Sequence, residues 1–354
     1  MAEGAFDYVI MGSTPLAGLV AGLLQSAHGK RICLVAEPHS PFRLSRSLDI
    51  SVAPLTRAET LLLLKRLSAE TLKLLGTLGK GLTERIDPLF IAELPATIAA
   101  HSHFRHQAVT LGHVVERLAD KSIGPGAVFR VREVHRLLTG KIEPALAAWL
   151  DRLEVRRLDA REVTIIIRRD GAVRISHAGL EVEARHAILA DDAAILAHLD
   201  EDERDRSLQT VPALTLSTEP AKPLHAPLMV YADRGVTVQQ RGKSGLTALV
   251  TGDAMTAHAR LGASLPTQGR LRRAGEAKFR TLVTTDGAAL LGAARGIKAT
   301  MLAGFGPTGA FLAPAIARMI AGKASEDEKS WFASREATRG NLRQNVAEFS
   351  AVPP

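Results

Sequence analysis

Residues Asp7–Glu37, DYVIMGSTPLAGLVAGLLQSAHGKRICLVAE, constrain the fold more than any other stretch. The apolar run Tyr8–Met11 predicts a buried strand, and Gly12–Pro15 a tight turn. Leu16–Ala27 predicts an apolar helix, His28–Lys30 a second turn, and Arg31–Val35 a second strand that stops just before the acid Glu37. Strand, helix and strand in that order make a β-α-β unit opening a parallel sheet.

Such a unit is the usual seat of an adenine dinucleotide, because the glycine turn admits a phosphate and the helix presents free N–H groups to it. Ser13, Thr14, Pro15, Leu16, Ala17 and Gly18 complete the turn and the first helical residues, and Glu37 lies where an acid accepts hydrogen bonds from a ribose. In a G-x-G-x-x-G spacing from Gly12, the later glycines fall on Thr14 and Ala17. If Gly18 is instead the third glycine, the turn is one residue longer and Gly22 becomes the small residue four positions on. A β-α-β unit without a ligand is the alternative reading.

The remaining totals exclude more than they specify. The chain has 354 residues, enough for two domains or one with a large insertion. Its lone cysteine, Cys33, sits in an apolar strand and rules out internal disulfides and cysteine metal clusters. The formal charge of +8 leaves room for a partner with an acidic surface, but aromatics are only 4% and the basic residues are dispersed, which argues against nucleic acid. The N-terminal apolar run has no preceding Lys or Arg and is broken by Gly, Thr and Pro. It matches neither a signal peptide nor a membrane span, and a cytoplasmic location is expected.

Farther along, the polar loop after Glu37 carries Arg43, Ser45, Arg46 and Ser47, either over a cofactor's phosphates or as plain surface. Thr56 and Glu59 spell a capping box ahead of a helix or helix pair reaching about Leu78. His101, His103, His106 and His113 gather in a segment broken by Pro95, Gly112 and Pro125, either as surface residues or, less readily, as a metal site on a strand. A helix is expected at Pro144–Arg152, with the proline in its first turn. Residues 153–192 read as a short strand, then VTIIIRR, an Asp170-Gly171 hairpin turn, AVRIS, LEVEA and HAILA. Residues 212–253 give further antiparallel strands with turns at Arg234-Gly235 and Lys243–Gly245, and Pro266–Phe279 reads as an exposed helix. A strand at Ala299–Ala303 then feeds a second glycine loop, Gly304–Gly309, and an apolar helix, Ala310–Ala321. The charged tail is expected to pack through Trp331, Phe332 and Phe349.

These blocks together resemble the D-amino-acid oxidase-like flavoproteins, which include glycine oxidase and related amine dehydrogenases. The opening unit, the meander ending at Ala190-Asp191 and the two closing segments carry the likeness. Those segments are Thr284–Gly292, TTDGAALLG, and Gly304–Pro314, GFGPTGAFLAP. The sequence departs from the pattern at Thr14, at Pro307, and at Asp191-Asp192 where Thr-Gly is usual. The arginine-proline pair usual just before the TTDG segment is absent; Arg280 is nearby but one residue off.

The resemblance implies an α/β fold: a Rossmann-type FAD-binding domain with a second, mostly antiparallel β-sheet domain. By position, 1–80, 131–210 and 285–325 form the first, 81–130 and 211–284 the second, and 326–354 a helical tail. It implies FAD, with the pyrophosphate at Gly12–Gly18, ribose on Glu37, adenine flanked by Val163, and the ring over Gly304, Gly306, Pro307, Thr308, Gly309 and Ala310. It also implies oxidation of a small amine or amino acid, with Arg241, Arg280, Arg295 and Lys298 as cations for substrate or ring, each equally readable as a solvated surface charge. Tyr231 either covers the site or belongs to the core. The departures motivate a second reading, a flavoprotein-like subunit without catalysis that serves as scaffold or partner in a complex. A nicotinamide-only dehydrogenase ranks third, since it leaves the second glycine loop unexplained.

Overall fold

The computed structural model describes residues 5–336 and 348, except 41, 120–122, 125, 205, 207, 243–244 and 266–270. The opening stretch forms β1 (Phe6–Met11), α1 (Pro15–His28) and β2 (Ile32–Ala36), with Val9 beside Cys33 and Ile10 beside Leu34 in a parallel ladder. The Thr14 hydroxyl caps α1, Pro15 takes the first helical position, and Gly29 closes the helix at φ 60°, a left-handed conformation open to glycine. Strand alternation then sorts the side chains. Ile10, Ile32 and Leu34 join a cluster with α1, whereas Val9, Met11, Cys33 and Val35 join another on the opposite face. Both faces are covered, which is why these strands read as unbroken apolar runs.

The polar loop leads to a single helix, α2 (Ala58–Leu78). Thr56 does not cap it; its hydroxyl donates to the Glu348 carbonyl, and Arg57 holds the cap position without capping the helix through its side chain. Next come β3 (Thr83–Ile86), β4 (Leu89–Ala92), α3 (Pro95–Thr110), β5 (Val115–Leu118), β6 (Ala127–Val131) and β7 (Val134–Leu137). His101, His103 and His106 therefore ride a helix, and among the described residues no group of three His, Cys, Asp or Glu could hold a metal. The fourth helix, α4 (Thr139–Arg152), starts before Pro144, which lies one turn inside it. Buried Ile142, Leu146, Trp149 and Leu150 hold that helix although the proline forfeits one backbone bond.

The meander is present as β8 (Arg156–Asp159), β9 (Val163–Ile167), β10 (Val173–His177) and β11 (Leu180–Leu189), the last a single strand where two had been expected. After α5 (Asp192–His198) the chain builds β12 (Leu208–Thr218), β13 (Leu228–Tyr231), β14 (Val236–Arg241), β15 (Gly245–Thr251), α6 (Ala254–Ser264) and β16 (Arg273–Thr284). The helix expected at 266–279 is thus corrected. The helix precedes it, residues 266–270 lie outside the described residues, and from Arg273 on the segment is strand. Exposed Lys278 and Arg280 alternate with partly buried Phe279 and Thr281. Charge of this kind suits β16, which forms a sheet edge. The chain continues through β17 (Leu290–Ala293), β18 (Thr300–Ala303), α7 (Gly309–Ile320) and α8 (Glu326–Ala333). Trp331 and Phe332 pack into the main cluster, and Phe349 lies outside the described residues.

Two large sheets result among the described residues. The first has the order β17-β18-β11-β1-β2-β8, with β10 and β9 added beside β11; its central strands are parallel. The second has the order β16-β12-β15-β14-β13-β4-β6-β5 and is antiparallel except where β13 meets β4. Helices α1, α2, α4 and α7 cover one face of the first sheet. Among the described residues no helix is long and apolar enough to cross a membrane.

Candidate active site

Parallel strands of one sheet end together, so the turns that follow them share one edge. β1, β11 and β18 are neighbours, and the turns after them contribute Ser13, Asp191 and Gly304 to a single cavity of about 700 Å³. That volume lies in the range of ligand sites, ~300–1,000 Å³. The first glycine loop supplies Ser13, Thr14, Pro15 and Leu16; the second supplies Gly304, Gly306, Pro307 and Gly309. Glu37, Arg43, Ser45, Arg46, Ser47 and Ala190 also line it.

Gly12 holds φ 155°, and a Cβ there would come within 3.2 Å of the Asp191 carboxylate. Gly12, Ala17, Gly18, Thr308 and Ala310 are buried beneath the wall rather than in it. The Ser13 hydroxyl accepts the Glu37 N–H at 2.9 Å, tying the first turn to the end of β2. Glu37 itself faces Arg43 at 3.4 Å and Arg46 at 3.6 Å. The Ile50 N–H donates to the Pro307 carbonyl at 2.7 Å, so the loop after β2 and the second glycine loop are fastened to each other.

Other predicted residues lie elsewhere. Val163 starts β9 and packs among apolar residues, away from the cavity wall. Arg295 and Lys298 occupy the β17–β18 turn, where their N–H groups donate to Glu203 and Arg169 carbonyls. Nearness in sequence to Gly304 misleads here, because β18 carries the chain ~13 Å before the loop begins. Arg241 closes the far end of β14 and donates to the Ser217 hydroxyl at 3.1 Å, whereas Val236 and Thr237 at the near end line the cavity. Of the four predicted cations, Arg280 alone lines the cavity.

Sequence reasoning missed Asp49 and misplaced His101, read as a surface or metal-binding residue but part of the cavity wall. His101 is fully buried, stacks on Phe129 at 5.4 Å and bonds the Thr97 carbonyl through Nδ1 at 2.9 Å, and burial lowers its pKa. Asp49 lines the cavity and accepts the Ala310 N–H at the start of α7; burial pushes its pKa to about 7. A lone acid between apolar Leu48 and Ile50 was the available signal. Tyr231 satisfies both of its readings, being buried yet part of the wall, with its pKa raised to about 12 by burial.

No protein-family model and no curated protein matches this sequence. Solved structures do match. L-proline dehydrogenase from P. horikoshii superposes with a TM-score of 0.71 at 13% identity, covering 98% of this chain and 100% of that one. Glycine oxidase from Geobacillus kaustophilus gives 0.69 at 14% identity, covering 91% and 95%. NikD, described as an unusual amino acid oxidase essential for nikkomycin biosynthesis, gives 0.69 at 15% identity, covering 93% and 97%. The chain shares its fold with these proteins. The shared fold extends over nearly the whole chain, including the second sheet, as the coverage of these structures requires.

Proposed function

We propose that this protein is an FAD-dependent oxidoreductase acting on the C–N bond of a small amine or amino acid. One observation carries the reading: a single cavity joins the two glycine loops and continues into the second sheet at Tyr231, Thr237, Leu249 and Arg280. The residues suit a long dinucleotide with one exception, the Asp191 carboxylate at the phosphate end. Ser13 and Thr14 would face the pyrophosphate, Glu37 the ribose, and the Gly306–Gly309 turn the ring. When bound, the flavin supplies the hydride acceptor. The chain's own part is to bind and orient. Arg280 presents a cation to a substrate carboxylate, while buried Phe90 and Tyr231 wall off water. Residues 1–80, 131–210 and 285–325 would bind the cofactor; 81–130 and 211–284 would carry the substrate side.

The purified protein is expected to show flavin absorbance bands, native or after addition of FAD, and to bleach anaerobically with a subset of amino acids or secondary amines. Arg280→Met is expected to raise KM for carboxylate-bearing substrates by about 10- to 100-fold, as loss of a charge-assisted hydrogen bond does. A protein that stays colourless with excess FAD overturns the reading. The second reading, a non-catalytic subunit within a complex, draws support from Asp191, and a flavin that binds but is reduced by no amine would favour it.

A further inference from the structure

The phosphate end of the cavity already holds an anion belonging to the protein. Asp191 follows β11, and one of its carboxylate oxygens accepts the Ala194 N–H at 2.8 Å, capping α5. The other accepts the Ser13 N–H at 2.6 Å. That amide belongs to the glycine turn, and a dinucleotide pyrophosphate seated there draws on the same donors. The acid also fills the space that the missing Gly12 side chain leaves open, as the 3.2 Å approach to a Cβ shows.

We propose that Asp191 is an internal occupant of the phosphate site and must take up a proton before an FAD pyrophosphate can bind there. The inference rests on the proposed flavin reading and deepens it. Two anions cannot share one half-buried amide cheaply, since like charges a few Å apart in a poorly screened site repel by several kcal/mol. A protonated carboxyl removes the repulsion and can itself donate to a phosphate oxygen. The only bond made in the step joins a solvent proton to the Asp191 carboxylate.

The surroundings favour the proton. Burial raises the Asp191 pKa, and the neighbouring Asp192 charge adds to it, against the two backbone N–H bonds and the more distant Arg46. Asp192 is itself engaged by the Thr281 hydroxyl at 2.5 Å and the Leu282 N–H at 3.0 Å. From the facing loop, Arg43 and Arg46 are turned to Glu37. Asp192 and Asp49, the latter at the second glycine loop, are further acids in the cavity wall whose pKa burial raises.

The test is FAD affinity of the full-length chain, freed of flavin, from pH 5.5 to 8.5 by quenching of flavin fluorescence. Riboflavin serves as the phosphate-free probe. Wild-type Kd for FAD is expected to rise by up to about tenfold per pH unit above the Asp191 pKa. Asp191→Asn and Asp191→Ser, both still able to cap α5, should keep the low-pH affinity throughout and bind at least tenfold more tightly than wild type at pH 8. Riboflavin should show only the dependence due to Asp49, which titrates in the same range, and Asp49→Asn should keep the difference in slope between FAD and riboflavin, the part attributed to Asp191. An FAD affinity independent of pH in wild type, or the same slope in Asp191→Asn, overturns the proposal and leaves the flavin reading standing. Absence of FAD binding by every variant at every pH brings down both.

Discussion

Asp49 shows how one buried acid can set a pH dependence through stability alone. Its carboxylate accepts the Ala310 N–H and a Ser47 hydrogen bond, which favour the charged form, yet burial outweighs them and lifts the pKa from 3.8 to about 7. The folded-state value lies above the unfolded one. The stability this group contributes is therefore fully present below about pH 4 and is lost as pH rises through about 7. Asp49→Asn keeps an acceptor and removes the charge. Denaturant unfolding at pH 8 should show the variant more stable than wild type, by an amount on the order of a few kcal/mol. The two should converge at pH 4, and an equal gap at both pH values would sink the account. The role of Asp49 was not legible in the sequence. Nothing in the spacing of Leu48-Asp49-Ile50 ties it to a helix that begins some 260 residues later; only the folded chain brings Asp49 and Ala310 together.

At the scale of elements, α1 does two jobs with one set of small residues. Its N-terminus faces the cavity, while Gly18 and Gly22 face α4. A Cβ on Gly18 would meet Leu146 Cδ1 at 3.2 Å, and one on Gly22 would overlap the Trp149 ring. Gly22 is thus a packing residue, not part of a phosphate turn. Gly22→Ala should destabilise the protein by about 1–3 kcal/mol through overpacking, and Trp149→Leu in the same chain should restore part of the loss. Thermal melts of the two single variants and the double variant measure this, and additive effects would show that the helices do not meet there. Elements whose period is complete within a few residues were legible: β1-α1-β2, the Asp170-Gly171 hairpin, and β18 with its loop and α7. Those whose pattern makes sense only beside a distant partner were not. β16 carries charge because it is an edge strand paired with β12, and its alternation was therefore read as a helix. β3 pairs β7 across some 50 residues, and each is only four residues long. The site followed the same rule: the two loops were found from local glycines, whereas Arg295 and Lys298, read from sequence nearness, and Arg241, a candidate cation with no local pattern behind it, lie outside the cavity.

Across the whole molecule, the turn before β17, which reaches the cavity at Gly287, leans on a buried ion pair from the C-terminal region. Arg335 Nη2 donates to Glu348 Oε1 at 2.7 Å, and neither residue is more than 1% exposed. The guanidinium lies 3.9 Å from the Trp331 ring centroid, the Trp331 indole donates to the Thr60 hydroxyl at 2.9 Å, and that hydroxyl also meets Glu348. The cluster thereby fastens α8 to α2. It also reaches the site. Glu348 Oε2 accepts the Ala289 N–H, and the Arg335 carbonyl accepts the Leu291 N–H at 3.0 Å. Gly287, two residues before Ala289, lines the cavity beside Gly304. Removing one partner of such a pair leaves the other charge buried and unmatched, which costs about 3–5 kcal/mol, whereas replacing both with apolar groups of similar size is often neutral. Glu348→Ala leaves the Arg335 guanidinium, among the described residues, only the half-exposed Glu59 carboxylate at 3.6 Å, so it should lower stability by up to that amount and weaken flavin retention with it, since the strand and turn at 287–291 lose their backing. Arg335→Met with Glu348→Leu should recover most of the stability. Denaturant midpoints of the single and double variants decide the matter: a Glu348→Ala protein with the wild-type midpoint would show that this pair neither closes the fold nor supports the cavity wall.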